Sequence, residues 1–125
     1  MLQRPAGWAH MPRGTESGRA AMNHVICNAI ANRRLLRLSY SGWNRVVEPH
    51  AYGLGRSRRE VMRAWQVADC ITFDGRLGWR LDPAGWKLLR VDEIISLSLL
   101  PEPVPAPRPD YRRGDKDIWL TFCQL

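Results

Sequence analysis

Short segments that alternate apolar and polar residues, separated by turn residues, dominate the middle of this chain. The alternation is clearest over residues 60–68, where Met62 and Ala64 fall on one side of an extended chain and Arg63 and Trp65 on the other. A period of two is typical of strands that bury one face. Several such segments at close intervals predict a mainly β domain of small α+β type.

A β-hairpin is predicted over residues 35–48, with its turn at Gly42. Pro49 cannot donate a hydrogen bond to a neighbouring strand, so the returning strand is expected to end or bulge there. Residues 51–54 are then expected to form a short third strand. Further along, residues 69–83 are expected to be a loop, with a ragged hairpin tip at 73–75 as the alternative.

One helix and a last group of strands complete the domain. Asn23 is a plausible N-cap, and Ile26, Ala29 and Ile30 repeat at helical spacing until the chain reaches Arg33. The later elements are expected as a strand over 86–90, one tight helical turn over 91–94 and a last strand over 96–100.

The two ends of the chain have a different composition. Residues 1–22 have no hydrophobic period and are interpreted as a flexible basic arm; because further methionines follow Met1, these residues are not certain to be translated. Five alternating prolines make residues 101–109 a stiff extended spacer, since proline interrupts both helices and central strands. Residues 110–125 form an apolar segment that is expected to dock on the domain or on a second chain.

Charge and cysteine content narrow the class of protein. The chain has 19 Lys+Arg against 12 Asp+Glu, a net charge of +7, which favours phosphates, nucleic acid or other anions as binding partners.

Cys27, Cys70 and Cys123 are odd in number and lack close pairs, so free thiols are expected rather than a disulfide framework or a metal site. No secretory signal and no membrane-spanning stretch is apparent, and a cytoplasmic location is the default.

The order of these segments resembles the WYL domain of bacterial regulators. The resemblance covers residues 23–100 and is most specific in Arg45-Val46-Val47-Glu48-Pro49 and Leu89-Arg90-Val91-Asp92-Glu93-Ile94. It implies an Sm-like, SH3-type five-stranded β-barrel with an N-terminal helix, which senses a ligand or nucleic acid, often beside a regulator or a defence protein. The Trp-Tyr-Leu triplet that gives the family its name would fall on Glu60-Val61-Met62. Only about 20 irregular residues precede the region of resemblance. The chain therefore resembles a stand-alone WYL-like protein.

Strand-borne arginines are the candidate site. The resemblance implies basic, ligand-facing positions at Arg45 and Arg90, and strand alternation adds Arg63. Guanidinium groups can take phosphate oxygens in bidentate fashion, and aromatic rings can stack on bases. The full set of candidate ligand-binding or nucleic-acid-binding residues is Arg45, Arg63, Arg90, Arg37, Tyr40, His50 and Trp65.

Structural roles compete with each of these assignments. Tyr40 and Trp86 could be core residues, and Arg45 could form an ion pair with Glu48. Arg90 could pair with the adjacent acidic residues at 92–93. The arginines of the 55–59 turn could simply be solvated, and His50, as a lone histidine, is expected in a turn or at the surface.

The sequence predicts no catalysis, because it contains no nucleophile beside a base and no paired carboxylates with suitable spacing. No cofactor and no metal is expected. The leading hypothesis is a non-catalytic regulatory module that binds single-stranded nucleic acid or a small anionic ligand such as a nucleotide. The alternative is a structural module that assembles, as a homodimer or with another protein, through the Pro-rich spacer and the segment around Trp119.

Overall fold

The computed structural model describes residues 24–125, and the predicted basic arm and the N-cap at Asn23 lie outside them. A helix, α1, covers residues 24–32, and a single 3-10 turn, η1, covers Val91–Glu93. The strands are β1 Arg34–Tyr40, β2 Trp43–Gly55, β3 Glu60–Gln66, β4 Cys70–Asp74, β5 Gly78–Asp82, β6 Gly85–Arg90, β7 Ile94–Pro103 and β8 Ile118–Gln124. The prediction of a mainly β protein with one helix is confirmed.

All strand pairs within residues 24–125 are antiparallel, and they form one large sheet and one small one. The large sheet has the order β6-β3-β2-β1-β7, and β8 pairs additionally with β2. Strands β4 and β5 form a separate two-stranded ribbon. Among the described strands, β6 and β7 do not pair with each other, so the large sheet is open and does not show the closed five-stranded barrel that the resemblance implies.

The predicted first hairpin is confirmed. Strands β1 and β2 pair from Leu36–Val47 to Tyr40–Trp43, and the chain reverses at Ser41 and Gly42. Both turn residues have positive φ angles, 54° and 82°. This backbone conformation is typical of the tight two-residue turns whose twist matches that of the flanking strands. Glycine at the second position removes the steric cost of that conformation.

Strand β2 does not end at Pro49, and the expected short third strand is its continuation. Along one edge, β2 pairs first with β1, as far as Val47, and then with β8, from Ala51 onward. Pro49 lies between these two partners, where its missing N–H disrupts neither ladder. On the other edge the register with β3 shifts between Pro49 and Ala51, which leaves His50 as an extra, bulged residue. The predicted bulge is thus present.

The core lies between α1 and the face of the large sheet that it covers, here called the inner face. The helix buries Ile26, Ala29 and Ile30, as their spacing predicts. The sheet contributes fully or almost fully buried side chains from five strands and η1: Leu36, Leu38, Val47, Tyr52, Met62, Ala64, Leu89, Val91 and Ile94. The opposite face, the outer face, has a small second cluster of Ala51, Val61 and Ile118.

Two predictions about irregular segments are wrong. Residues 69–83 are not a loop, because β4 and β5 pair over five residue pairs with their turn at 75–77. The Pro-rich spacer is not a spacer throughout, since Pro101 and Pro103 belong to β7. Strand β7 lies at the edge of the sheet, where a proline can point its missing N–H away from the ladder.

The expectation of free thiols is wrong for two of the three cysteines. Cys27 of α1 and Cys123 of β8 form a disulfide that joins residues 96 positions apart, and only Cys70 is free. The wide spacing concealed the pair, because residues distant in sequence become neighbours when β8 returns to β2. Closing so long a loop restricts the unfolded chain and is worth about 2–4 kcal/mol in typical cases.

Gly53 is the position on which the docking of β8 depends most directly. A Cβ atom at Gly53 would lie 2.1 Å from the Leu120 carbonyl oxygen and 2.9 Å from the Thr121 Cα atom. Backbone atoms cannot move aside as a flexible side chain can. We therefore expect Gly53→Ala to destabilise the protein by about 1–3 kcal/mol, measured by thermal unfolding.

Gly75 supplies the matched control for this prediction. It lies in the turn of the ribbon, without positive φ, and nothing lies within 4 Å of a Cβ atom added there. Gly75→Ala should therefore leave the unfolding temperature unchanged. Equal unfolding temperatures for both variants would show that β8 does not need the close approach at Gly53.

Candidate anion-binding site

The predicted site residues lie on opposite faces of the large sheet and do not form one groove. Arg45 and Tyr40 belong to the inner face, whereas Arg63 and Trp65 belong to the outer face. Arg90 pairs with Val61 and so shares the outer face, and its guanidinium is exposed and lies 3.5 Å from the Glu93 carboxylate. The local ion pair considered as an alternative for Arg90 is thus present.

Arg45 is a buried residue that is held by other parts of the chain, which does not support its predicted ligand contact. Its side chain is 5% exposed, and its Nη1 donates to Asp82 Oδ2 at 2.5 Å and to Gln66 Oε1 at 2.8 Å. Its Nε donates to the Tyr40 carbonyl oxygen, and its guanidinium lies over the Tyr40 ring. Its ion-pair partner is Asp82 and not Glu48, the partner that the sequence suggested.

The Arg45 cluster fixes the base of the β4–β5 ribbon to the sheet. Asp82, the last residue of β5, also accepts from Lys87 Nζ at 3.1 Å. Burial would raise the pKa of Asp82, but the hydrogen bond from Lys87 and the charge of Arg45 outweigh it and lower the pKa. Asp82 therefore stays ionised at neutral pH and holds both cations.

Residues 104–117, here called the crossing segment, run over the outer face between β7 and β8. Arg108 makes the central contact: its guanidinium donates to both carboxylate oxygens of Glu48, at 2.7 and 2.9 Å, and lies 4.6 Å from the centroid of the Trp65 ring. One face of the Trp65 ring is therefore covered by the protein itself. The stacking role of Trp65 stays a prediction, and the covered face of the ring does not support it.

His50 is buried beneath the crossing segment, and its expected position in a turn or at the surface is wrong. The bulge in β2 places its ring against Trp86 and Tyr111, with ring centroids 4.8 and 4.9 Å away. Its Nε2 accepts from the Arg108 backbone N–H at 3.1 Å, so its Nδ1 carries the proton and donates to the Glu48 carbonyl oxygen. This tautomer is neutral.

Of the predicted residues, Arg63 lines the cavity described below. Two carboxylates of the crossing segment already hold it: Asp115 at 2.6 Å and Asp117 at 2.7 Å. Burial would raise the pKa of Asp115, but the hydrogen bond from Arg63 is among the interactions that lower it. Arg63 is thus neutralised by ionised carboxylates at neutral pH.

The cavity lies between the outer face and the last turns of the crossing segment and has a volume of about 540 Å³. Its lining combines two rings, four cations and two carboxylates, a formal excess of two positive charges. The lining residues are Arg63, Trp86, Asp110, Tyr111, Arg112, Arg113, Gly114, Asp115 and Lys116. Cavities of this size accommodate small molecules.

Three of the cations in this cavity make no hydrogen bond or ion pair with any residue between 24 and 125. They are Arg112, Arg113 and Lys116, all exposed at the rim. Trp86 is oriented by a hydrogen bond from its Nε1 to Asp110 at 2.8 Å. The site therefore offers available positive charge beside an indole ring that is fixed in place.

Sequence reasoning missed this cluster because residues 110–125 were treated as an apolar tail. The signal was the run Tyr-Arg-Arg-Gly-Asp-Lys at positions 111–116, in which cations flank a turn-forming glycine. Gly114 has a positive φ of 73°, so the run does make a turn. Arg37, by contrast, is exposed and has no hydrogen-bond or ion-pair partner among the described residues, but it lies away from the cavity lining.

The described residues contain no group of three or more His, Cys, Asp or Glu side chains arranged to hold a metal ion. Over the same part of the chain, no helix has the length and apolar character needed to cross a membrane.

Comparisons with known proteins connect this arrangement to no family. No protein-family model matches the chain, and no curated protein and no solved structure matches it. The relationship to WYL domains therefore stays a prediction that depends on the residues quoted for it.

We expect Arg45→Ala to lower the free energy of unfolding by about 3 kcal/mol, because it removes a buried guanidinium that binds both Gln66 and Asp82 and leaves Lys87 as the remaining cation on Asp82. Arg37→Ala removes the same charge from an exposed position and should change stability by less than about 0.5 kcal/mol. Chemical unfolding of both variants measures the difference. If Arg45→Ala were as stable as the unmodified protein, the Arg45 guanidinium would not be required for the fold and would count among the cations available to a ligand.

His50 gives the protein a defined pH dependence. Burial lowers the pKa of His50 below its ordinary value of about 6.5, so the folded state resists protonation more than the unfolded chain does. Its contribution to stability is complete above about pH 6.5 and is lost as the pH falls from there toward the lower folded pKa. Unfolding at a series of pH values should show this slope.

His50→Gln should flatten the slope between about pH 5 and 7, because glutamine keeps polar atoms at the site but does not titrate there. His24→Gln is the matched control, since His24 is exposed. If the slope persisted in His50→Gln, another group would be responsible for it.

Proposed function

We propose that the protein is a non-catalytic, ligand-sensing module that binds an anionic ligand with an aromatic part in the cavity of the outer face. The observation that carries this proposal is that Arg112, Arg113 and Lys116 line the same cavity as the ring of Trp86. Exposed cations attract phosphate groups, and stacking on an aromatic ring is worth about 1–3 kcal/mol per base. Nucleotides and single-stranded nucleic acid both combine these two features.

The size of the cavity favours one nucleotide unit. A volume of about 540 Å³ is within the usual range for small-molecule sites. The ligand is accordingly a free nucleotide, or a single nucleotide of a longer strand whose neighbours remain in solvent. In this proposal Arg63 positions the crossing segment through Asp115, and it does not contact the ligand directly.

The relationship to the WYL family belongs to the same proposal. The open order β6-β3-β2-β1-β7 contains five antiparallel strands, and only η1 separates β6 from β7 along the chain. The Tyr40 hydroxyl accepts from the Arg90 backbone N–H at 3.3 Å and bridges β1 to the end of β6. These features support an Sm-like, SH3-type barrel with an open seam, and a regulator or defence protein as the functional partner.

The cytoplasmic location expected from the sequence and the disulfide point in opposite directions. Structural disulfides persist mainly in oxidising compartments and are rare in the cytosol. We keep the cytoplasm as a proposal, with Cys27 and Cys123 reduced there. Trapping thiols in intact cells, followed by mass analysis of the two cysteines, decides between the two locations.

The test of ligand binding uses the double variant Arg112→Ala/Arg113→Ala and two probes, a labelled single-stranded oligonucleotide and a nucleoside triphosphate. We expect binding of at least one probe to weaken tenfold or more, about 1.4 kcal/mol. The control double variant Arg37→Ala/Arg56→Ala removes the same charge from exposed positions outside the cavity. Its affinity should stay close to that of the unmodified protein.

The control variant and a binding measurement at low salt distinguish a specific site from general attraction between charges. Equal weakening in both double variants would show attraction to net charge without a site. Absence of binding by the unmodified protein at low salt would refute the proposal and favour the alternative, a structural module. The surface that the sequence suggested for such a module is reduced, since Pro101 and Pro103 are in β7, although Trp119 of β8 remains 64% exposed.

A further inference from the structure

The end of β8 holds two residues of the cavity wall in place. Gln124 Oε1 accepts a hydrogen bond from the Gly114 N–H at 3.3 Å, and the Leu125 carbonyl oxygen accepts one from the Tyr111 hydroxyl at 3.5 Å. Gly114 and Tyr111 both line the cavity. These hydrogen bonds are long and therefore weak, so they hold the wall only while the end of β8 keeps its position.

A disulfide fixes that position. Cys123 precedes Gln124 and is bonded to Cys27 of α1, and both cysteines pack against the core. Within residues 24–125, β8 pairs with β2 and with no other strand, and the register shifts twice along that ladder. Three apolar side chains of β8 also remain 44–64% exposed. The disulfide is therefore the covalent attachment of an edge strand that leaves much of its apolar surface in water.

We propose that the Cys27–Cys123 disulfide is a redox switch for this site, which is formed in the oxidised protein and loosened in the reduced one. The proposal rests on the ligand-binding function proposed above, whose regulation it describes. The reductant is a thiol such as glutathione, or a dithiol.

Reduction proceeds by thiol–disulfide exchange. The thiolate of the reductant attacks one sulfur of the disulfide, and a second thiol of the reductant resolves the mixed disulfide. Two electrons and two protons thereby pass to the cysteines, and the reductant leaves as a disulfide. Neither Cys27 nor Cys123 is fully buried, and such an attack requires access to a sulfur.

The placement of the core permits a local change on reduction. Among residues 24–125, the fully or almost fully buried side chains of the inner face come from α1, from η1 and from strands other than β8. Ile118, at the start of β8, is buried separately with Ala51 and Val61 on the outer face. Reduction should therefore leave the sheet folded and the start of β8 in place, while residues 121–125 separate from β2 and release the cavity wall.

Such a switch is compatible with the proposed cytoplasmic location. Cytosolic disulfides, where they occur, are usually transient and either catalytic or redox-sensing. In a reducing cytoplasm the site rests in its loosened form, and exchange with an oxidised disulfide, the reverse of the reaction above, forms it. The ligand affinity is higher after oxidation because a larger fraction of the molecules holds the site ready for binding.

Backbone order parameters, measured by NMR on the full chain of 14.4 kDa, test this coupling without a ligand. The values for Gly114 and Gln124 should fall below about 0.6 after reduction with dithiothreitol and in Cys27→Ser, whereas those for β1, β2 and β3 should stay near about 0.85. Cys70→Ser is the matched control, because it removes the free thiol and leaves the disulfide intact. Without reductant it should match the unmodified oxidised protein.

The same proteins are then titrated with the oligonucleotide and the nucleoside triphosphate of the binding test above. The probe that binds the oxidised protein should bind about tenfold more weakly after reduction and to Cys27→Ser, if reduction leaves about a tenth of the molecules with a formed site. Its affinity for oxidised Cys70→Ser should be unchanged. Circular dichroism checks that Cys27→Ser is folded, and Cys123→Ser replaces it if it is not.

Several results would overturn the switch. They are equal order parameters for Gly114 and Gln124 in the two redox states, a loss of order throughout the sheet, equal affinity of a bound probe before and after reduction, and a disulfide that glutathione leaves closed. If the oxidised protein binds neither probe, the proposed function fails, and the order parameters still decide whether the disulfide controls the cavity wall.

Discussion

The shared edge of β2 is the constraint on which the rest of the structure depends. A 13-residue strand that contains a proline in its middle can serve two partners in turn, because Pro49 lies where neither β1 nor β8 requires an N–H. Pairing of β8 with the second half of β2 brings the C-terminus back to the sheet. The same return closes the Cys27–Cys123 disulfide and draws the crossing segment over the outer face. A single edge thus determines both the cross-link and the candidate site.

The bulge at His50 connects this edge to the outer face. The extra residue turns the imidazole toward Trp86 and Tyr111, and the His50 carbonyl oxygen accepts the Leu125 N–H at 2.8 Å. Both ring nitrogens have partners, which a buried imidazole needs in order to remain neutral without loss of stability. The lowered pKa of His50 therefore reflects burial of the ring, which outweighs the opposing hydrogen bond to the Glu48 carbonyl oxygen, and it does not by itself indicate a proton-transfer role.

Local patterns predicted the local elements well. Alternation over residues 60–66 predicted β3 and the face on which Met62 and Ala64 are buried, and helical spacing predicted the buried face of α1. Most of the failures involve contacts between distant residues. Arg45 meets Asp82 and Arg63 meets Asp115, at sequence separations of 37 and 52, whereas sequence reasoning could propose only nearby carboxylates. The β4–β5 ribbon was interpreted as a loop because turn residues surround its short strands.

The contacts that the arginines make in the structure explain why a position on a strand is a poor predictor of a cation that is available to a ligand. A guanidinium that becomes buried on the sheet must lose water, and the fold compensates with carboxylates, as it does for Arg45 and Arg63. Arg37 of β1 stays exposed and has no such partner among residues 24–125. Cations on an exposed turn lose little water and need no partner, so Arg112 and Arg113 keep their charge available. The chain has only 12 acidic residues, and some of their carboxylates pair with the buried arginines. The excess positive charge therefore lies on exposed segments. The available cations of the crossing segment are therefore a consequence of the same electrostatics that stabilise the sheet, and a ligand phosphate would meet them without displacing Asp115 or Asp117 from Arg63.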